Sequence, residues 1–389
     1  MSLPTNNPIP FHRPTLGVEE EAAVLRVLRS GWLTTAGEAR AFEQEFAQQV
    51  AAAHALAVNS ATAGLHLALE AVGVGPGDRV ITTPYTFTST AEVIRYLGAD
   101  PIFVDIRGDD LNIDPAGVEA ALAASERVKA IVPVHFGGHP CEMETITALA
   151  SRFAVAVVED AAHAFPAHYK GRALGTWGDA GVYSFYATKT MTTGEGGMIV
   201  TNEERLAKRM SVMRLHGIDR DVWDRYTSRT PSRHYQVVDA GYKYNLPDLL
   251  AAVGRVQLTR AHGFAERRRE IARRYRALLA DASYIDLPTD SDDSSWHLFV
   301  IKLQPAKLRA NRDEIMEMLA EQGIATSLHY IPLHLMPYYR DRYHFSANDF
   351  PISLGVYERA ISLPIYPDLT DDEVERVAAT LRAVCEEHT

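Results

Sequence analysis

The sequence predicts an α/β fold, a mostly parallel sheet with helices on both faces, followed by a smaller α+β unit. Three features predict it. Between residues 79 and 159 short apolar runs alternate with helical patterns, as in strands joined by crossover helices. A long helical pattern near residue 250 ends that block, and a second, shorter set of strand and helix patterns follows it. An acid closes one of the apolar strands, at the edge where open parallel sheets bind ligands. Residues 1–250, N-terminal segment included, are therefore expected to form a large ligand-binding unit, and residues 251–389 a smaller one.

In chain order, Val18, Ala22, Leu25 and Leu28 recur at helical spacing and Gly31 stops the helix. Glu38 to Val50 and Ala61 to Val72 read as two further helices. Arg79 to Thr83 reads as a strand, Ser89 to Leu97 as a helix, Pro101 to Asp105 as a strand and Pro115 to Ser125 as a helix. Val128 to Val134 is strand-like, Met143 to Phe153 helical and Val155 to Glu159 strand-like. Gly181 to Phe185 and Gly197 to Thr201 complete the block. Residues 215–240 are polar without clear periodicity. Leu249 to Leu279 is one long helix, and its Arg-rich middle reads as a solvated face. Trp296 to Ile301 is a strand, and Arg312 to Gln322 and Asp371 to Cys385 are helices.

Composition narrows the function classes. The 389 residues can build more than one core, and 47% apolar with 23% charged residues is ordinary for a globular protein. A formal charge of −11 argues against a nucleic-acid partner, which calls for a basic face. Cys141 and Cys385 lie far apart, with neither metal-ligand spacing nor a disulfide framework, so no metal is expected and a reducing cytoplasm is the simplest setting. The first residues lack the basic and apolar regions of a signal peptide, and no apolar stretch nears the roughly 20 residues of a membrane span.

The chemistry centres on Lys189. It follows Ser184-Phe185-Tyr186-Ala187-Thr188 and precedes Thr190-Met191-Thr192-Thr193-Gly194-Glu195-Gly196-Gly197. Any single lysine can be a loop cation on the surface. This one sits in a small-residue, glycine-rich turn that lets backbone approach a ligand, and upstream the run Val155 to Val158 ends in Glu159-Asp160-Ala161-Ala162-His163. A lysine amine can form a Schiff base with an aldehyde, and an acid can hold a pyridinium nitrogen protonated. Together they suit pyridoxal 5′-phosphate (PLP). Burial raises the Asp160 pKa; a cationic pyridinium does the reverse. His163 can face the same ring, or be hydrogen-bonded for structural reasons. Asn59-Ser60-Ala61-Thr62-Ala63-Gly64 precedes a helix and offers free N–H groups to a phosphate, although an ordinary N-cap has the same composition. Ser184 can add a hydroxyl. Phe87, after a strand end, suits ring stacking and equally core packing.

These segments, with Gly241-Tyr242-Lys243-Tyr244-Asn245, resemble in order the DegT-type sugar aminotransferases, a family of fold-type I PLP enzymes within the aspartate aminotransferase superfamily. Gly31-Trp32-Leu33-Thr34-Thr35 and Trp223-Asp224-Arg225-Tyr226 fit as well, and the nearest likeness is to the UDP-4-amino-4-deoxy-L-arabinose aminotransferase branch. The resemblance runs from about Gly31 to the C-terminus and implies a seven-stranded, mostly parallel sheet. It implies that Lys189 holds the cofactor and shuttles the proton, that Asp160 partners the pyridine nitrogen and that His163 lies near the phenolic oxygen. It assigns Ala61, Thr62 and Ser184 to the phosphate and Phe87 to ring stacking. Asn245, which the local sequence marks only as a loop before a helix, corresponds to a residue that reaches the phosphate of the neighbouring subunit, so a homodimer is implied.

The implied reaction is a ping-pong transamination from an amino acid, L-glutamate first, to a keto-sugar nucleotide, a UDP- or other NDP-4-keto sugar. Such reactions supply amino sugars for polysaccharide or lipopolysaccharide. Candidate sugar contacts are His329, Tyr330 and His334, with Trp32 and Thr34 from the N-terminal motif; the loop they mark is also compatible with plain aromatic packing. Arg214 and His216 are candidates for the entrance, Arg214 equally for a surface cation. Residues 327–334 depart from the arabinose branch, so the resemblance leaves the sugar open. Two rivals are a sugar dehydratase-like relative, in which histidine replaces the lysine, and a non-catalytic regulatory relative, which would tend to lose Lys189 or Asp160. Both residues are present. A cysteine desulfurase needs a mobile catalytic cysteine, and neither cysteine is placed for that.

Overall fold

The computed structural model describes residues 8–219 and 235–389. Two helices, α1 (Val18–Ser30) and α2 (Gly37–Val50), precede the main sheet. Its strands are β1 (His54–Val58), β2 (Arg79–Thr82), β3 (Asp100–Phe103), β4 (Val128–Ile131) and β5 (Ala156–Asp160). After a hairpin of β6 (His168–Tyr169) and β7 (Arg172–Ala173), β8 (Ala180–Ser184) and β9 (Gly197–Thr201) complete it. The connecting helices are α3 (Ala61–Ala71), α4 (Ser89–Tyr96), α5 (Pro115–Ala124), α6 (Met143–Phe153) and α7 (Glu204–Met213). The seven strands lie in the order β1-β9-β8-β5-β4-β2-β3. β3, β2, β4, β5 and β8 are parallel, whereas β9 and β1 join antiparallel. The sheet is thus seven-stranded and mostly parallel, as the resemblance implies.

A long helix, α8 (Asp248–Leu278), leads to a three-stranded antiparallel sheet of β10 (Ile285–Asp286), β11 (Phe299–Leu303) and β12 (Ala360–Leu363). Around it stand α9 (Arg312–Glu321), α10 (Pro337–Tyr343), α11 (Pro351–Tyr357) and α12 (Asp371–Glu386). Local chemistry sets several ends. Gly31 takes the left-handed conformation that ends α1, the Asp114 side chain caps α5 ahead of Pro115, and Asn311–Glu314 and Thr370–Glu373 form capping boxes at α9 and α12.

Adjacent residues of β5 serve two cores, because strand side chains alternate between faces. Val157 packs with Phe42, Phe46, Tyr183 and Phe185, and Val158 with Leu65, Leu67, Val182 and Ile199. A third cluster fills the C-terminal sheet with Tyr275, Trp296, Phe299 and Leu381, and Ile9 of the N-terminal segment enters it. Along α8, Ala251 and Leu258 pack in the first cluster and Ile271 and Tyr275 in the third.

Several features depart from the periodicity reading. β1, α7 and β12 carry no clear signal; β1 is His-Ala-Leu-Ala-Val, weak in strand propensity, and forms because β9 pairs with it residue for residue. In α1 the core face is Ala23 and Val27, packed with Ala252 of α8, while Val18, Leu25 and Leu28 point outward. The helix has two apolar stripes, and tertiary packing selected the smaller-residue one. The Arg-rich middle of α8 is not wholly a solvated face either. Ala261, Ala265, Arg268, Ala272 and Tyr275 share its buried stripe, and Arg268 is fully buried. Trp223 to Tyr226 lie outside the described residues. No helix among the described residues is long and apolar enough to cross a membrane.

Candidate active site

The register brings functional residues to one edge of the sheet. Asp160 ends β5 and Ser184 ends the parallel β8, while Gly197 begins the antiparallel β9 opposite Ser184 and Val58. Past Val58, Ser60 caps α3 by accepting a hydrogen bond from Ala63 N–H at 3.1 Å. The first N–H groups of a helix have no partner inside it, so those of Ala61 and Thr62 remain for a ligand. A cavity of about 540 Å³ lies over this edge, lined by Lys189, Asp160, His163, Ser184, Ser60, Ala61, Thr62, Phe87, His329 and Tyr330, among others.

Asp160 is buried and firmly held. Its Oδ2 accepts from Thr90 Oγ1 at 2.7 Å and its Oδ1 from Ala162 N–H at 3.1 Å. Burial pushes its pKa up; the two hydrogen bonds and the Lys189 charge oppose this. Beneath it Glu159, also buried, accepts from Gly175, Trp177 and Gly178 N–H and pairs with His135 Nε2 at 3.0 Å, which fixes the end of β5. Lys189 sits across the cavity, and burial lowers its amine pKa to about 8 against the attraction of Asp160. His163 Nδ1 accepts from Gly137 N–H at 3.2 Å, which leaves its proton on Nε2, 3.2 Å from Tyr330 Oη. Burial holds the His163 pKa well below the usual histidine value, so the ring is a neutral donor.

The donor set fits pyridoxal phosphate. A buried carboxylate suits a protonated ring nitrogen, a lowered lysine pKa suits attack on an aldehyde, and the Ser60–Thr62 turn with Ser184 suits a phosphate. Gly197 keeps that turn open, since a Cβ there would stand 2.8 Å from Ala61 N and Ser60 C. Phe87 is 58% exposed in the wall of the cavity, its ring 6.1 Å from that of Tyr330. A second cavity of about 820 Å³ opens beside the first and shares Thr86, Phe87 and Tyr330 with it.

Six sequence candidates fall elsewhere. His334 is fully buried, with Nε2 bonded to Ala347 O and its ring against Phe350; it packs the C-terminal lobe and lines neither cavity. Trp32 and Thr34 also lie outside both cavities. So does Asn245, which donates to Thr35 Oγ1 at 2.6 Å. Arg214 is neither entrance nor surface cation: it is buried, paired with Glu43 and bonded to Ala57 O at 2.9 Å, and His216 likewise lies away from the cavities. Sequence reading missed His12, which lines the cavity and bonds Ala187 O at 2.9 Å, and His297, which lines it from the segment before β11. It also missed Thr90. His12 and His297 come from distant segments with no motif around them, and nothing local marks the hydroxyl of Thr90, three residues past Phe87; only the fold assembles them. Among the described residues no group of three or more His, Cys, Asp or Glu could hold a metal ion.

Comparison with known proteins agrees with this geometry. Residues 14–382 match the DegT/DnrJ/EryC1/StrS aminotransferase family. The spore coat polysaccharide biosynthesis protein SpsC of Bacillus subtilis (strain 168) is 45% identical over 382 residues, 97% of each chain. The sugar aminotransferase Spr1654 of Streptococcus pneumoniae, solved in its PMP form, superposes with a TM-score of 0.90 at 31% identity, over 97% of this chain and 99% of that one; it has also been solved in a PLP form. PseC of Helicobacter pylori, an aminotransferase of pseudoaminic acid biosynthesis, superposes with a TM-score of 0.90 at 29% identity, over 98% of this chain and 100% of that one. The chain belongs to the DegT/DnrJ/EryC1/StrS aminotransferase family and is a PLP-dependent sugar aminotransferase.

Proposed function

We propose that the enzyme moves the amino group of L-glutamate to a UDP- or other NDP-4-keto sugar, in the synthesis of amino sugars for surface polysaccharide. The observation that carries this reading is Lys189 and Asp160 facing one cavity, the amine with its pKa lowered to about 8 and the carboxylate buried. Bound PLP supplies an aldehyde carbon and an electron-withdrawing ring. Lys189 would hold that carbon through its amine and give way to the donor amine. The Lys189 amine would serve as the base that takes the donor's α-proton and as the acid that returns it to the former aldehyde carbon, with water releasing the keto acid; with the keto sugar the same groups would act in reverse. Asp160 would keep the ring nitrogen protonated, His163 would donate to the phenolic oxygen, and Phe87 would cover the ring. His329 and Tyr330 line the cofactor cavity, which supports a role for them in meeting the sugar, and the adjoining cavity of about 820 Å³ gives a nucleotide sugar the room that a cofactor-sized cleft lacks.

The reading includes a homodimer. Asn245 stands outside its own cleft, so its part in phosphate binding is to reach the partner's site. Val18, Leu25 and Leu28 expose an apolar stripe on α1, at 72%, 46% and 48%, and such a patch suits contact with a second copy. Sedimentation of the active enzyme checks this: a fully active monomer rules out the role given to Asn245. For the reaction itself, adding L-glutamate to the purified PLP form should bleach the long-wavelength cofactor band, and a panel of NDP-4-keto sugars should restore it. Absence of bleaching by L-glutamate overturns the donor; absence of recovery with every 4-keto sugar overturns the acceptor.

A further inference from the structure

His297 lines the cofactor cavity and is 6% exposed. Its ring packs against that of His163, tilted by 44° with centroids 4.3 Å apart. Its Nδ1 is sealed from solvent without a hydrogen-bond partner, which leaves Nε2 as the nitrogen able to meet a ligand. Buried polar atoms are nearly always paired, so a ring with an unpaired nitrogen at the wall of a cavity calls for an explanation. Directly behind it lies Arg268 of α8, 0% exposed. Its Nη1 donates to the carbonyl of His297 at 3.3 Å and to that of Ile365 at 2.7 Å, and both residues line the cavity. Nε and Nη2 of Arg268 have no partner among the described residues. A buried cation without a counter-charge is costly, and this one points its field through the wall at the space beside Lys189.

The other groups facing His297 are His12, His163, His329 and Lys189, and the carboxylates on the cavity are Asp160 and Glu195. Asp160 is taken up by Thr90 and Ala162, and Glu195 is exposed at the mouth. The wall around His297 therefore offers bases and a buried positive charge to an anion, with no acid of its own.

We infer that a carboxylate of the amino donor binds at this wall, accepting a hydrogen bond from His297 Nε2 while the Arg268 guanidinium stabilises it from behind. The inference rests on the transamination reading above and gives the donor its subsite. Arg268 is a positioning residue here, acting through its field without touching the ligand.

The test uses the holoenzyme in two measurements that need no sugar. The first is the L-glutamate concentration giving half the maximal rate of cofactor bleaching. The second is calorimetric binding of 2-oxoglutarate to the PMP form. His297→Phe and Arg268→Met should raise both constants about ten- to a hundredfold, while the limiting bleaching rate changes by no more than about threefold. His297→Gln, which returns a donor near Nε2, and Arg268→Lys, which keeps the charge, should recover most of the affinity. If Arg268→Met does not fold, His297→Phe decides alone. Donor and 2-oxoglutarate affinities that stay at the native value in His297→Phe overturn the inference and leave the transamination reading standing. A native enzyme that ignores L-glutamate overturns both.

Discussion

Lys189→Ala is expected to cut turnover by at least about 10⁴-fold, the upper range of what a positioned proton-transfer group contributes, and to remove the absorbance band of the lysine-bound cofactor. In the proposed mechanism one side chain serves as covalent anchor, base and acid, so its loss removes three functions at once. Lys189→Arg separates charge from chemistry: it keeps a cation opposite Asp160 but has no amine to give the aldehyde, and should be equally inactive. The pH dependence follows from the same residue. Burial lowers the Lys189 pKa to about 8, so below about 8 the amine is mostly protonated and cannot attack. Capture of PLP by the cofactor-free protein should accelerate as pH rises through about 8 and level off above it, a trend that stopped-flow absorbance can follow. A Lys189→Ala enzyme turning over at the native rate would discard the mechanism.

Much of this site was legible because its residues cluster in short ordered segments. Asp160 ends an apolar strand and Lys189 sits in a glycine-rich turn, and both patterns are local, so periodicity and turn chemistry expose them. What the local pattern hides is set by packing. His297 and His12 are ordinary histidines in sequence, and become part of the cleft only when the N-terminal segment and the stretch before β11 fold over the sheet edge. Arg268 lies in a run of arginines that suggests a wet helix face. The signal that singles it out is its spacing from Ala261, Ala265, Ala272 and Tyr275, which puts it on the buried stripe. His334 shows the converse error. Its neighbours His329 and Tyr330 do face the cofactor cavity, but the chain turns after Pro332 and carries His334 into the packing around Phe350. On α1, helical spacing alone does not choose between two apolar stripes; the buried one holds Ala23 and Val27, while Leu25 and Leu28 are exposed. Their exposure fits the homodimer proposed above.

Asp160→Asn is the sharper test of the electronic half of the reading, because it changes charge with almost no change of shape. The amide can keep the hydrogen bond from Ala162 N–H through its oxygen. Thr90 Oγ1, which now donates to Asp160 and also contacts Thr86 Oγ1 at 2.9 Å, can turn to accept from the new NH₂ group. The fold and the cofactor should therefore survive. What disappears is the negative charge that holds the ring nitrogen protonated. Removing one partner of a buried ion pair costs about 3–5 kcal/mol, and at 1.36 kcal/mol per decade that is roughly a 10²- to 5 × 10³-fold loss in the rate of α-proton removal. The loss should show in the bleaching rate with L-glutamate and hardly at all in cofactor retention, since the phosphate turn and Lys189 remain. Solvent exchange of the donor's α-proton, followed by NMR, would place the defect at that step. If Asp160→Asn bleaches within about threefold of the native rate, the carboxylate is a structural acid buried by the end of β5, and the ring must hold its proton by other means.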